Sequence, residues 1–250
     1  MRNFINVAFS YLRKKFGALI FRLNRVLHER FIFKYAPKNF IFSSIWRSNY
    51  WGSTESNSGP GSTTDQTKEI IAELPKLFDS LGVKVILDAP CGDLNWMQYV
   101  LQGAEYDYIG GEIVGKLVDN NQKRFGTEKI TFRKLDITKD NFPVADLWLC
   151  RHTLFHFSYR DIYHSLKLFV DSDIEYFLTT NCITPDEFTN SDISTGSWRR
   201  LNLFLPPFNF PRNPVWQVDD FVYPTPPTTL TLWNKEQVAS SLQQLAKFVK

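Results

Sequence analysis

The sequence predicts an α/β domain in which a doubly wound, mostly parallel sheet is covered by helices on both faces. Two observations predict this fold class. Short apolar segments of strand length alternate with segments of helical periodicity, and this alternation is typical of right-handed crossovers between parallel strands. In addition, a chain of 250 residues, 43% of them hydrophobic, is long enough to bury one sizeable core.

The predicted elements follow one another without an internal repeat. Residues 43–64 are rich in Ser, Gly, Asn and Trp and are predicted to form a loop. Thr64 or Asp65 then suits the start of a helix, and Gly82 suits its end. The elements that follow are strand 84–88, helix 94–101, strand 106–112, helix 115–124, strand 130–135, strand 146–150, helix 159–170, strand 174–180, strand 230–233 and a helix from 235.

The N-terminal segment differs in charge from the rest of the chain. Residues 1–38 contain nine Lys and Arg but one Glu, a net charge of +8, whereas the whole chain carries +3 and the remainder therefore −5. Apolar residues recur at helical spacing over 3–33. Two interpretations stay open: this basic amphipathic helix packs on protein, or it lies on an anionic membrane surface. We divide the chain into this extension, 1–45, and a domain, 46–250.

Composition argues against several classes of protein. The three cysteines include no C-x-x-C pair and the four histidines form no metal-binding pattern, so neither disulfides nor a metal site is expected. No apolar run reaches the roughly 18–20 residues of a spanning helix, and no signal-peptide cleavage site follows the first segment. These features predict a cytoplasmic protein, at the inner face of the membrane if the extension binds lipid. The acidic domain argues against a nucleic-acid substrate.

One strand-to-helix turn gives the strongest indication of chemistry. The strand V-I-L-D ends in Asp88 and leads into a tight turn that contains Gly92, and Glu112 ends the next strand 24 residues after Asp88. Turns of this kind bind nucleotides at the carboxyl edge of parallel sheets, with an acid on the ribose hydroxyls. Pro90 and Leu94 stand where a dinucleotide fingerprint has glycines, so a cofactor without phosphates fits better. A purely structural turn stays open as an alternative.

Four segments resemble the motifs of class I S-adenosylmethionine-dependent methyltransferases, whose fold is Rossmann-like. They are L-D-A-P-C-G-D-L-N-W-M, Y-I-G-G-E-I-V, L-D-I-T and D-L-W-L-C-R-H-T-L-F-H-F-S. Two more segments, W-G-S-T-E-S-N-S-G-P-G-S and D-I-S-T-G-S-W-R-R-L-N-L-F-L-P-P-F-N-F-P, resemble a bacterial subgroup associated with modification of surface polysaccharides and related small molecules. The resemblance covers roughly residues 48–234.

The resemblance implies a set of residues that bind S-adenosylmethionine. Asp88 and its turn would hold the methionine end, Glu112 the ribose, and Asp136 the adenine amino group. The other residues implied at the turn and beside the ring are Ala89, Pro90, Cys91, Gly92, Ile113 and Ile137. A stretch of small residues would fold over the cofactor, unless it is a flexible linker; its members are Ser58, Gly59, Gly61 and Ser62.

Methyl transfer to a hydroxyl requires a base that removes the acceptor's proton. His152 follows the fourth strand and has a suitable intrinsic pKa, and Asp192 is the alternative base. Four more side chains are candidates for contact with the acceptor, by clamping an anionic group or stacking on a sugar: Arg151, Trp198, Arg199 and Arg200. The leading hypothesis is O-methylation of a sugar, a glycan or another small polar acceptor.

Two other functions stay open. The chain could be a non-catalytic protein of the same fold that binds the cofactor or acts as a scaffold, although a scaffold has no need of the acids and glycine at the turn. An NAD(P)-dependent oxidoreductase is disfavoured by Pro90, by Leu94 and by the absence of a Tyr-x-x-x-Lys pair. The sequence gives no indication of oligomeric state.

Overall fold

A seven-stranded mixed sheet lies at the centre of the computed structural model, which describes residues 23, 25–103, 105–223 and 225–249. The strands are β1 (Val85–Asp88), β2 (Asp107–Glu112), β3 (Ile130–Lys134), β4 (Leu147–Cys150), β5 (Tyr176–Cys182), β6 (Trp216–Asp219) and β7 (Thr228–Asn234). Their order is β3-β2-β1-β4-β5-β7-β6. Strands β1 to β5 run parallel, and β7 is antiparallel to both of its neighbours. The predicted fold class is confirmed.

Helices cover both faces of this sheet. They are α1 (Lys38–Arg47), α2 (Thr64–Leu81), α3 (Met97–Val100), α4 (Gly115–Phe125), α5 (Tyr159–Asp171) and α6 (Lys235–Leu245). Alternate residues of β4 point to opposite faces. Trp148 packs in one apolar cluster with Phe169 of α5, and Leu149 packs in the other with Ile70 of α2. The central strands are therefore buried on both sides, as parallel strands require.

Local sequence sets several helix ends where they are predicted. Helix α2 ends at Gly82, whose φ of 66° lies in the left-handed region that glycine adopts readily. Helix α6 begins with a capping box between Asn234 and Gln237. The helix predicted over 94–101 is shorter, because Leu94 itself has a φ of 58° and helical geometry starts only at Met97.

Two elements differ from expectation. Strand β6 lies in a stretch where no strand is predicted; it has four residues that alternate between half-buried and exposed, which is too short a pattern to detect. Helix α1 extends into the predicted loop 43–64 and crosses the boundary drawn at residue 45. Its residues Ile41 and Ile45 are buried, so packing stabilises a helix whose polar second half resembles a loop.

The described part of the N-terminal segment packs on the domain. Lys38 Nζ donates a hydrogen bond to Asp161 Oδ1 of α5 at 2.8 Å, and the rings of Phe42 and Phe157 lie 5.7 Å apart. Most of the helix predicted over 3–33 lies outside the described residues. Within the residues that are described, no helix is long and apolar enough to cross a membrane.

Candidate active site

A cleft opens at the carboxyl edge of the sheet, where β1, β2 and β4 end. Its empty volume, including the open mouth, is about 1060 Å³, which is sufficient for a ligand of cofactor size. It brings together ten of the thirteen residues predicted to bind the cofactor: Ser58, Ser62, Asp88, Pro90, Cys91, Gly92, Glu112, Ile113, Asp136 and Ile137. Side chains from α1 and from the segment after β4 also line it.

The turn after β1 has no free backbone N–H between residues 90 and 93. Proline has none, and the other three donate within the protein: Cys91 to the Gly111 carbonyl (2.9 Å), Gly92 to Glu112 Oε2 (3.2 Å) and Asp93 to Ser58 Oγ (3.0 Å). Gly92 adopts a φ of 59°, and a Cβ there would lie 2.4 Å from Ser58 Oγ. This position therefore requires glycine.

Glu112 ends β2 with its carboxylate directed toward the turn. Its Oε1 accepts a hydrogen bond from the Val114 amide at 3.0 Å, and Oε2 accepts the bond from Gly92. Burial raises the pKa of Glu112 above its ordinary value, although these hydrogen bonds oppose the change. A carboxylate has about four acceptor sites, so two are left for the hydroxyls of a ligand.

Asp88 and Asp136 are the other two acids of the cleft. Asp88 accepts a hydrogen bond from the Tyr108 hydroxyl at 2.7 Å. Burial raises the pKa of Asp88 to about 7; the neighbouring Glu112 charge adds to this effect, and the Tyr108 hydrogen bond opposes it. Asp136 Oδ1 accepts bonds from the amide and hydroxyl of Thr138 at 3.0 and 2.7 Å. Its other oxygen accepts no hydrogen bond within the described residues and lies 3.8 Å from the Lys139 ammonium.

These three acids lie in the cleft with little positive charge to balance them. In the described part of the chain, the Lys139 contact is the one ion pair that any of them forms, and that lysine is largely exposed. Buried carboxylates without a nearby opposite charge are costly, even where they accept hydrogen bonds. A ligand that carries positive charge and hydroxyl donors would relieve this cost, whereas an anionic ligand would increase it.

Residues 53–62, which we call the strap, cross over the turn and are held there by Asp93. The Asp93 carboxylate accepts hydrogen bonds from the hydroxyls of Ser56 and Ser58 at 2.9 and 3.0 Å, and from the Asn57 amide at 3.0 Å. Hydrogen bonds to a charged acceptor are stronger than neutral ones. These contacts favour a strap that folds over the site rather than a flexible linker.

Gly61, in the strap, lies against the ring of His152. A Cβ at Gly61 would lie 2.3 Å from His152 Nδ1, whereas one at Gly59 would lie 3.3 Å from Trp51 Cβ, a tight contact that requires only a small shift of the neighbour. Gly59 does not line the cleft, so its predicted role becomes the backbone conformation of the strap, where its φ is 109°.

We expect Gly61→Ala to lower the free energy of unfolding by about 1–3 kcal/mol, because the added methyl group must displace the His152 ring. Gly115→Ala is the control, since a Cβ there meets nothing within 4 Å. Urea denaturation measures both. In a His152→Ala background the cost of Gly61→Ala should disappear, and an equal cost in both backgrounds would contradict this contact.

Asp220, just after β6, is fully buried and was not predicted as a site residue. Its carboxylate forms a bidentate pair with Arg151, whose Nε and Nη2 each donate at 2.8 Å. His152 Nε2 lies 3.5 Å from Asp220 Oδ2. Arg151 lines the cleft, but its guanidinium is bound to Asp220 rather than free to clamp an acceptor, so its predicted role is corrected.

His152 itself follows β4 with a φ of 52° and lines the cleft. Burial, reinforced by the Arg151 charge, lowers the pKa of His152 below its ordinary value of 6.5, although Asp220 opposes the change. The ring is therefore neutral at neutral pH. Nε2 is buried and faces the Asp220 carboxylate at 3.5 Å, without a hydrogen-bond partner within the described residues. A proton on Nε2 would point toward this carboxylate and would leave the lone pair on Nδ1.

An aromatic wall, which sequence analysis missed, lines the same cleft as His152. It consists of Phe42, Trp46, Trp51, His156 and Phe157. The Trp51 and His156 rings lie 4.3 Å apart, and His156 Nδ1 donates to the Ser197 carbonyl at 2.9 Å. Burial lowers the pKa of His156 to about 3, so this ring is neutral and offers a stacking surface. Trp46 and Trp51 lie in a segment that its serines and glycines made look like a loop.

Asp192, the alternative base, does not line the cleft. It is exposed, and its Oδ1 accepts hydrogen bonds from the amides of Tyr159 and Ile193 at 2.7 and 2.8 Å. The carboxylate thus stabilises the start of α5, where unpaired amides favour an acid. The prediction that Asp192 is a base is corrected by this position.

Four other predicted residues also lie away from the cleft. Arg199 is buried and donates through Nη1 to the Phe157 carbonyl at 2.8 Å. Trp198 and Arg200 are exposed beside it. Ala89 is fully buried beneath the turn, where its amide donates to the Leu149 carbonyl at 2.9 Å. Arg199 and the Ala89 amide thus form contacts within the protein, and none of the four residues lines the cleft.

Several solved structures of known proteins have the same fold. No protein-family model and no curated protein matches the chain. Among solved structures, a SAM-dependent methyltransferase from Leishmania major matches with a TM-score of 0.55 and 16% identity, over 78% of this chain and 82% of that one. Magnesium protoporphyrin IX methyltransferase from Synechocystis PCC 6803, with bound SAH, matches with 0.52 and 12%, over 78% and 95%.

Another methyltransferase has the same fold, and one more gives a weaker match. The N-methyltransferase NodS from Bradyrhizobium japonicum WM9 matches with a TM-score of 0.52 and 11% identity, over 68% of this chain and 96% of that one. The S-adenosylmethionine-dependent methyltransferase SibL matches with 0.49 and 16%, and this chain spans 55% of its length. The chain therefore has the Rossmann-like fold of class I SAM-dependent methyltransferases, with the cleft at the carboxyl edge of its sheet.

Proposed function

We propose that this protein is an S-adenosylmethionine-dependent methyltransferase that methylates a hydroxyl of a small polar acceptor, with a sugar or glycan as the favoured class. The observation that carries the proposal is the set of three buried carboxylates, Asp88, Glu112 and Asp136, in one cleft. S-adenosylmethionine has a net positive charge, because two cations outnumber its one carboxylate; the groups that can pair with an acid are a sulfonium, an ammonium, two ribose hydroxyls and an adenine amino group. Each of these groups suits an acid of this set.

The residues present fit that cofactor one by one. Glu112 retains acceptor sites for the ribose hydroxyls, and Asp136 retains Oδ2 for an amino group. Ile113 and Ile137 line the cleft as apolar flanks for a ring. Asp88 lies at the end of β1, where its negative charge suits the ammonium at the methionine end.

The same features argue against the two alternatives. A dinucleotide would bring a pyrophosphate to a turn whose amides are absent or already bonded, and its charge would be repelled by three acids. A scaffold would have to tolerate the cost of buried, mostly unpaired carboxylates without any ligand to offset it.

His152 is the base in this proposal. When bound, S-adenosylmethionine supplies a methyl group on a sulfonium sulfur. His152 takes the proton of the acceptor hydroxyl, and the imidazolium that forms lies beside the Asp220 carboxylate, which stabilises it. Arg151 holds Asp220 in place through the bidentate pair. The base acts next to the aromatic wall, which excludes water from the reacting oxygen.

The aromatic wall supports a ring-shaped acceptor. Trp51, whose ring packs against the neutral His156 ring, resembles the flat apolar surfaces on which sugars pack. Lys38 also lines the cleft, and its ammonium is already paired with Asp161. The fold alone does not decide which atom is methylated, since NodS is an N-methyltransferase. Mass spectrometry of cell-surface glycans with and without the gene tests the acceptor class.

We expect Glu112→Ala to weaken affinity for S-adenosylhomocysteine by about 1.5–3 kcal/mol, because hydrogen bonds to a charged group are lost. Asp107→Ala is the control, as that carboxylate lies at the other end of β2 and is exposed. Calorimetric titration with S-adenosylhomocysteine and with NAD measures binding. Unchanged affinity in a folded Glu112→Ala protein would contradict the assignment of the ribose to this position. Tight binding of NAD would favour an oxidoreductase over a methyltransferase.

A further inference from the structure

The helical segment that precedes α1 has apolar side chains on its outer surface. Leu23, Leu27, Phe31 and Tyr35, which we call the outer stripe, are 60%, 48%, 59% and 80% exposed. Their spacing of four places them along one side of a helix. Phe33, on the other side, is buried in a cluster with Ile41, Ile45 and Tyr50. The segment is therefore apolar on the side that packs and on the side that faces outward.

This arrangement differs from that of an ordinary surface helix, which has polar residues on its outer side. Large exposed apolar residues that lie together mark a surface that binds another molecule. Phe40 continues the exposed apolar surface into α1, where it is 53% exposed.

The charge around the outer stripe indicates what binds there. Arg30 and Lys34 lie beside it, and neither forms an ion pair within the described residues. Arg25 is paired with Glu29, the one acid of the segment, at 3.4 Å. Residues 1–38 carry a net charge of +8, whereas the rest of the chain carries −5. Apolar side chains with free cations beside them complement an anionic lipid surface.

The outer stripe precedes a helix that lines the cleft. The chain passes from Tyr35 directly into α1, and Lys38, Phe42, Ile45 and Trp46 of that helix line the cleft. A membrane on the outer stripe would therefore lie near the mouth of the cleft, where an acceptor that is anchored in the membrane can enter.

We propose that the outer stripe, with Arg30 and Lys34, docks this protein on the anionic surface of a lipid membrane. The consequence for the substrate, a polar acceptor carried on a lipid, rests on the proposed function; the docking itself does not.

Sedimentation of the full chain with vesicles tests the docking. We expect binding to phosphatidylcholine vesicles that contain phosphatidylglycerol, little binding to phosphatidylcholine alone, and weaker binding as salt is raised. Phe31→Glu with Tyr35→Glu should reduce binding about tenfold or more, because two apolar side chains no longer enter the lipid. Val144→Glu with Tyr223→Glu is the matched control, since both residues are exposed elsewhere.

A second pair of variants separates charge from apolar contact. Arg30→Glu with Lys34→Glu should remove the preference for phosphatidylglycerol. Equal vesicle binding by the native protein and the outer-stripe variant would overturn the proposal. It would also be overturned by a dimer that this variant dissociates, because the stripe would then be an interface between copies. Titration with S-adenosylhomocysteine is the independent readout. Vesicle binding without cofactor binding would contradict the proposed function but would still support the docking proposal.

Discussion

We expect His152→Ala to lower kcat by about 10²–10⁴-fold, the usual contribution of a general base. Affinity for S-adenosylmethionine should change little, because the acids that are expected to hold the cofactor lie at the ends of other strands. Steady-state kinetics with the acceptor, together with calorimetric titration of the cofactor, separates the two effects. Near-normal turnover in a folded His152→Ala protein would exclude histidine as the base.

The pH dependence of the rate gives a sharper test of the same residue. A base acts in its unprotonated form, so the rate should fall as pH drops through the pKa of His152. Since burial lowers that pKa below 6.5, the low-pH limb of the profile should lie below the ordinary imidazole value, and it should be absent in His152→Ala. Asp192→Asn is the control, which should retain both kcat and the limb because that carboxylate lies outside the cleft.

The second large effect concerns the buried pair that supports His152. We expect Asp220→Ala to lower the free energy of unfolding by about 3–5 kcal/mol, because Arg151 is left buried without its partner. Asp219→Ala is the matched control: the neighbouring carboxylate is exposed on the edge strand, and its loss should stay within about 0.5 kcal/mol. Urea denaturation measures both variants, and equal effects would mean that the pair contributes nothing to stability.

A milder substitution at the same position tests how Asp220 acts on the base. Asp220→Asn keeps the shape of the side chain but removes the charge that raises the pKa of His152. The low-pH limb should therefore move to still lower pH while KM for the cofactor is unchanged. An unchanged low-pH limb would show that the Asp220 charge does not raise the pKa of His152 and that Asp220 contributes only to stability.

Sequence could predict that most of the proposed cofactor-binding residues meet in one cleft, because their positions depend on local features. Each of the acids Asp88, Glu112 and Asp136 follows or ends a short strand, and parallel strands bring their carboxyl ends to one edge. The periodicity of the strands and of helices such as α2 is equally local, so the fold class and the main elements followed from the pattern.

The acceptor side could not be predicted, because its contacts join distant parts of the chain. Asp220 lies 69 positions from Arg151, beside a strand too short to recognise. Asp192 has the residue type of a base, but the path of the loop turns it toward the start of α5. The aromatic wall was missed for a related reason: Trp46 lies in a helix that tertiary packing stabilises, within a segment whose composition favours a loop.

Helix α1 offers a region in which substitutions could change the choice of acceptor. The helix contributes Phe42 and Trp46 to the acceptor side of the cleft but no strand hydrogen bond and no acid of the cofactor side. Under the proposed function, acceptor selectivity and the cofactor-binding fold would thus be encoded in separate stretches of sequence. Random mutagenesis confined to residues 42–51 should broaden or redirect the choice of acceptor while cofactor affinity persists, and this stretch is the natural starting point for engineering the protein toward a new acceptor.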